Sequence, residues 1–154
     1  MTRNLTLLLR SACCVLALLA GFATAHTAFA HDDGEQKLHI TLAGAVTGPA
    51  EASLHAVAMP HVDGTLLHLQ WSLPPGVQLL DGPAATTWTD VRSHSALDQS
   101  RRVHASTAGV YELFVGGALD IPGERVVEGA ALYLVVAADG TTTLTEHDPN
   151  RQSV

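Results

Sequence analysis

The run Thr65–Gly82, TLLHLQWSLPPGVQLLDG, narrows the fold more than any other stretch of the chain. Thr65, Leu67, Leu69, Trp71 and Leu73 alternate with Leu66, His68, Gln70 and Ser72. A period of two sends one set into a core and leaves the other outside, which is the pattern of a half-buried strand. Pro74-Pro75-Gly76 stops that strand, because proline cannot donate to a ladder. Val77–Leu80 reads as a second, short strand closed by Asp81-Gly82-Pro83.

The flanking sequence repeats this grammar. Lys37–Leu42 alternates, with Leu38, Ile40 and Leu42 on one face. Ala52–Met59 alternates too, with Leu54, Ala56 and Ala58 set against His55, Val57 and Met59. Asp63-Gly64 follows, the dipeptide of a two-residue hairpin turn whose central residues need positive φ. A tight hairpin there predicts 59 opposite 68, 57 opposite 70 and 55 opposite 72. Thr86–Val91 places Trp88 as a second large core candidate, residues 92–100 read as polar loop, and Arg101–Ala105 as a strand. Val110–Val115 is a strand, Ile121–Gly129 a loop around Pro122-Gly123, and Ala130–Ala137 an apolar strand. Asp139-Gly140 is a second hairpin signal leading into Thr141–Thr145.

Short strands punctuated by Gly and Pro, with no helical period, predict an all-β fold: a two-sheet antiparallel immunoglobulin-like sandwich of about 7–9 strands. A small barrel is the alternative. The expected core includes Leu38, Ile40, Leu67, Leu69, Trp71, Leu73, Trp88, Leu113, Leu132 and Leu134.

The first 30 residues stand apart from this domain. Arg3 and Arg10 precede an apolar run at Ser11–Gly21, and Ala23-Thr24-Ala25 and Ala28-Phe29-Ala30 are small-x-small sites. That order is a secretory signal peptide over 1–30, cut after Ala25 or Ala30. Arg10 interrupts the run and His26 and His31 end it, short of the roughly 20 apolar residues a span needs. No twin arginine precedes the run, so general secretion to the periplasm or medium is expected. Residues 31–36 form a polar arm, 37–146 the sandwich and 147–154 a tail. Cys13 and Cys14 fall in the removed segment, so the mature chain relies on its apolar core rather than on disulfides.

The chain has 8 Lys and Arg against 15 Asp and Glu, for a net charge of −7; without Arg3 and Arg10 it is −9. An acidic balance disfavours nucleic acid and anionic membrane as partners. Two Trp, two Tyr and three Phe give little material for an aromatic carbohydrate platform.

Leu69 to Gly82, then Trp88-Thr89-Asp90, then Ala108-Gly109-Val110-Tyr111-Glu112-Leu113-Phe114-Val115, together resemble the strand, L-P-P-G-V, strand pattern and the A/P-G-x-Y-x-L-x-V strand of bacterial exported immunoglobulin-like domains, including the CARDB-like type. The resemblance covers Thr65–Val115 and extends to Ala137. It implies a sandwich used for adhesion, assembly or display, and a partner that is another envelope protein.

Histidine is the compositional oddity, with nine in the chain. In the tight hairpin Met59 faces His68, and His61 is the diagonal neighbour, with His55 further along the same face. Imidazole and thioether together suit copper. Cleavage after Ala30 exposes His31 as a first residue, whose amine and imidazole can chelate copper; this resembles the N-terminal His of periplasmic copper-binding sandwiches and of copper-dependent polysaccharide oxygenases. Cleavage after Ala25 gives His26 the same place.

Ser93-His94-Ser95 near Asp90 and Asp98 lacks a nucleophile elbow, and no zinc-protease helix or phosphate loop occurs, so no catalysis is expected. Arg101-Arg102 is a basic pair for an acidic partner, or one exposed and one snorkelling side chain. The chain therefore reads as an exported, non-catalytic interaction module of the envelope, docking through a strand edge or loop. The alternative is a periplasmic copper-binding protein using Met59, His61 and His68, or His31.

Overall fold

The alternation seen in the sequence becomes two antiparallel sheets packed face to face. The computed structural model describes Ala23–Ala25 and residues 36–151. Its strands are β1 (Ala23–Ala25), β2 (Leu38–Gly48), β3 (Glu51–Pro60), β4 (Gly64–Ser72), β5 (Val77–Leu79), β6 (Ala85–Val91), β7 (Leu97–Ala105), β8 (Gly109–Ile121), β9 (Glu124–Val136) and β10 (Thr142–Thr145). Sheet I has the order β1-β2-β3-β7-β5 and sheet II the order β10-β9-β8-β4-β6. The sheets are separate, so the molecule is a sandwich and not a closed barrel. Most of the predicted signal segment, with Cys13, Cys14 and His31, lies outside the described residues.

The core forms where the inner faces meet. Leu38, Ile40 and Leu42 of β2 and Leu54, Ala56 and Ala58 of β3 come from sheet I. Leu67, Leu69 and Trp71 of β4, with Leu113, Leu132 and Leu134, come from sheet II. All are at most 3% exposed, and small alanines on β3 face large leucines across the gap, as close packing requires. Leu73 and Trp88 are half-buried and pack against this core rather than inside it.

One hydrogen-bonded corner fixes the passage from β7 to β8. The Tyr111 hydroxyl donates to the Thr107 carbonyl at 2.9 Å and lies 2.8 Å from Thr107 Oγ1. A tyrosine near the start of a strand, bonding back a few residues upstream, is the corner found in immunoglobulin-like sandwiches. The A-G-x-Y run thus supplies a named lock for that topology.

The tight hairpin predicted at Asp63-Gly64 does not form. β3 pairs with β2 and β7, whereas β4 pairs with β6 and β8. Residues 61–63 carry the chain from one sheet to the other. The apolar faces of β3 and β4 therefore line opposite walls of one core instead of lying side by side. Gly64 has no positive φ. It is needed for close approach: a Cβ there would lie 2.5 Å from Leu119 Cδ1 and 3.0 Å from the Asp120 carbonyl oxygen. By contrast Asp139-Gly140 does turn a hairpin between β9 and β10, with Gly140 at φ 86°.

Two predicted loops are also corrected. Residues 97–100, assigned to a polar loop, begin β7, because their edge is paired to β3 while their outer face is wet. Residues 121–129 are not a loop: Pro122-Gly123 is a two-residue turn, with Gly123 at φ 78°, in a long β8–β9 hairpin. Gly117 and Glu128 share an inward-facing row and Gly116, Ala118, Val127 and Gly129 lie on the outer face, so small and charged residues on both faces leave this stretch without apolar alternation.

Candidate functional site

The outer face of sheet II carries a cleft of about 550 Å³ across β4, β8 and β9. Its rows follow from register. His68, Ala118 and Val127 lie in one row, Gln70, Gly116 and Gly129 in the next, and Ser72, Phe114 and Ala131 in the third. The middle row has almost no side chains on β8 and β9, so the floor is backbone.

Phe114 explains the glycines. A Cβ on Gly129 would fall 2.3 Å from Phe114 Cζ, and one on Gly116 would fall 3.0 Å from Phe114 Cε1. The ring therefore lies over both glycines and shields their backbone, the arrangement by which an aromatic rescues glycine in a sheet. On the other side of the floor Val127 is 69% exposed. The cleft has an aromatic wall, an apolar rim and polar His68 and Gln70; Glu128 shares the inward-facing row of Gly117 and so borders the cleft with its backbone. His68 Nδ1 lies 3.0 Å from Thr87 Oγ1 on β6, which steadies the imidazole at the margin.

Below this cleft, Arg125 Nε donates to Asp120 Oδ1 at 2.6 Å and its Nη2 to Oδ2 at 3.1 Å. That bond to Arg125 holds the Asp120 carboxyl below its ordinary range and fixes the guanidinium. The neighbouring Lys37 ammonium is bound by Glu124.

The sequence-predicted metal residues are not all brought together: Met59 and His68 lie on different sheets. Met59 lies on the outer face of sheet I, directly across from His39. His68 lies on the outer face of sheet II. Two packed sheets are about 10 Å apart, with the core between them, so Met59 and His68 cannot share an ion. His55 is on the Met59 face, but its Nδ1 is 3.0 Å from Ser100 Oγ. His61 sits in the crossover and meets His94, ring centres 5.6 Å apart and nearly perpendicular. His31 lies outside the described residues. Among the described residues no three His, Cys, Asp or Glu side chains group around a point.

Asp63 joins the same corner by another route. Its Oδ1 accepts from the Ser93 backbone N–H at 2.8 Å, and this bond above all lowers its carboxyl pKa. Ser93 is thus spent on a turn, and its neighbour His94 on contact with His61. Arg101 and Arg102 divide sharply. Arg101 is 9% exposed, with Nε donating to the Pro83 carbonyl at 3.0 Å and Nη2 to Gln99 Oε1 at 3.2 Å. The same Gln99 oxygen accepts from Trp71 Nε1 at 3.2 Å. Arg102 is exposed and bonded to Asp81, whose carboxyl is lowered chiefly by the Arg102 backbone N–H.

The cleft was missed from sequence because residues 121–129 read as loop. Gly116-Gly117, opposite Gly129 in an otherwise β-rich region, is the signal that points to it: glycine inside a strand marks close approach of something to the backbone.

No protein-family model matches the chain, and no curated protein matches it. Solved structures do. The GAE domain of GGA2p from Saccharomyces cerevisiae is 10% identical, with 67% of this chain and 94% of that one covered at a TM-score of 0.47. The yeast GGA1 GAE domain in a structure labelled P21 is 14% identical, covering 68% and 96% at 0.43. The ASH/PapD-like domain 7 of human CEP192 is 12% identical, covering 70% and 94% at 0.44.

Proposed function

We propose that this chain is an exported, non-catalytic interaction module of the cell envelope, and that it docks an extended segment of another envelope protein onto the outer face of sheet II. The observation that carries the reading is the backbone-floored cleft between Phe114 and Val127. A strand face with two glycines and an alanine in adjacent rows leaves space that a partner's side chain can fill. Val127 stands far more exposed than Val46, Leu80 or Val110, the other large apolar residues at the surface of the described chain. Isolated exposed apolar residues are ordinary, but one beside a shaped apolar recess marks a contact surface.

Charge sets the partner's chemistry. The chain is acidic at −7. The segment that fits carries a bulky apolar side chain for the floor and basic residues beside it, drawn in by the overall field. Export is supported by the basic start, the apolar run and the two small-x-small sites.

A photo-crosslinking residue placed at Val127, with a control at Val46 on sheet I, tests this in an expressing cell. The expected result is one dominant adduct from position 127, its attachment point in an extended basic segment. A synthetic peptide of that segment should bind, and Ala118→Trp, which fills the floor, should abolish binding while the melting temperature stays within a few degrees. Equal adducts from Val46, or a peptide that binds Ala118→Trp unchanged, would overturn the reading.

A further inference from the structure

We propose that His61, His94 and Met59 form a binding site for one Cu(I) ion at the crossover corner of sheet I, on a different surface from the cleft. The two imidazoles are already together. Their centres are 5.6 Å apart with the planes at 78°. An ion about 2 Å from one nitrogen of each ring lies roughly 3 Å from each ring centre, so two imidazoles sharing an ion have centres roughly 5–6 Å apart.

The backbone explains how they meet. His61 N–H donates to the Lys37 carbonyl at 2.9 Å, which extends the β2–β3 ladder past Pro60. Pro60 points into the core and is fully buried, so His61 faces outward, on the same face as Met59 two residues before it. His94 arrives from the β6–β7 connection. Its N–H donates to the Pro60 carbonyl at 2.7 Å, and its φ is 60°. Histidine is among the residues that visit the left-handed region, yet the conformation is uncommon and clusters at functional positions. Here it brings the chain back so that the His94 ring reaches His61.

The third donor is chosen by chemistry. No third His, Cys, Asp or Glu among the described residues joins this pair. The thioether of Met59 is the next donor along the face, with His39 directly across the ladder. Two imidazoles and a thioether form a soft, low-coordinate, uncharged set, which favours Cu(I) over Zn(II), Mg(II) or Ca(II). The Lys37 ammonium, one cross-strand position from His61, is neutralised by Glu124 and does not oppose a cation.

Cu(I) held under ascorbate without oxygen, titrated against a chromogenic chelator, tests the site in the protein recovered from cells. One equivalent should bind. Met59→Leu, His61→Asn and His94→Asn should each weaken binding by at least about tenfold, since even the partners that merely orient ligands are worth about 10–100-fold. Asn at 94 tolerates the positive φ, and an unchanged melting curve shows that the fold is kept. His68→Asn, on the other sheet, should leave affinity unchanged. Methionine occurs only at 1 and 59, so the Met59 methyl resonance gives a second readout in the unmutated protein: it should shift with Ag(I), a closed-shell stand-in for Cu(I). No binding of Cu(I), binding indifferent to the three substitutions, or an unmoved Met59 methyl would each overturn the site. None of these outcomes bears on crosslinking at Val127, so the two proposals fail separately.

Discussion

Asp63-Gly64 and Asp139-Gly140 are the same dipeptide with opposite fates. At 139–140 the chain turns back on itself: Gly140 takes φ 86°, Asp139 Oδ1 accepts from the Thr141 N–H at 2.9 Å, and Ala137 N–H bonds the Thr141 carbonyl at 2.8 Å. At 63–64 the chain crosses between sheets: Gly64 has ordinary φ, and the Asp63 carboxylate reaches 30 residues along to Ser93. The turn dipeptide permits a hairpin but does not compel one. What decides is where the flanking apolar faces can be buried. Leu54, Ala56 and Ala58 line one wall of the core and Leu67, Leu69 and Trp71 the other, because placing the two strands in opposite sheets removes both faces from water.

The comparison predicts unequal mutational costs. Trp71→Ala should be the most damaging: the indole is 3% exposed, anchors β4 opposite sheet I and donates to Gln99. A loss of about 3–5 kcal/mol is expected in urea unfolding; a nearly unchanged midpoint would remove Trp71 from the core. Gly64→Ala comes next, at about 2–3 kcal/mol, because its methyl would overlap Leu119 and the Asp120 carbonyl. A tolerant Gly64 would mean that the crossing is not tightly packed. Gly140→Ala should cost about 1–2 kcal/mol, and for backbone conformation alone, since nothing lies within 4 Å of the added methyl. If Gly140→Ala proved worse than Gly64→Ala, the assignment of turn and crossing would be reversed.

Acid is the mildest probe. Asp63 and Asp139 are both lowered from the ordinary 3.8, first by the backbone N–H of Ser93 and of Thr141 respectively. A carboxyl lower in the folded than in the unfolded chain binds fewer protons when folded, so stability rises with pH across that interval. The stabilisation is complete above the unfolded value and fades as pH falls through the folded one. Denaturation at pH 3 against pH 6 should show a loss that Asp63→Asn and Asp139→Asn each reduce. Equal pH slopes in parent and variants would contradict the two bonds.

Much of this fold was legible. The alternation in Leu38–Leu42, Ala52–Met59 and Leu67–Trp71 located strands and inner faces because side-chain period is a local property. The run Ala108-Gly109-Val110-Tyr111 marked the start of a strand, but the corner its tyrosine makes with Thr107 showed only in the structure. Strand partners were not, since pairing depends on which distant faces compete for burial. The same limit governed the sites. His61 follows Met59 at the end of β3, but His68 was added by a register that Gly64 does not make, while His94 was hidden in a polar connection whose path depends on Asp63 and Pro60. The cleft escaped because glycine and alanine on its floor remove the apolar alternation that would have marked β8 and β9 as long strands.

Disulfide trapping tests the crossing at 61–64 most directly, since both proposed surfaces depend on it. In a chain with Cys13 and Cys14 changed to Ser, one variant carries His39→Cys with Met59→Cys and a second carries Met59→Cys with His68→Cys. Facing positions on adjacent strands lie within the Cα separation of roughly 4.4–6.8 Å that a disulfide spans, and positions on opposite outer faces do not. Mild oxidation should close the 39–59 bond and leave the 59–68 pair as free thiols. A ready 59–68 disulfide would restore the hairpin and refute the separation of the two faces.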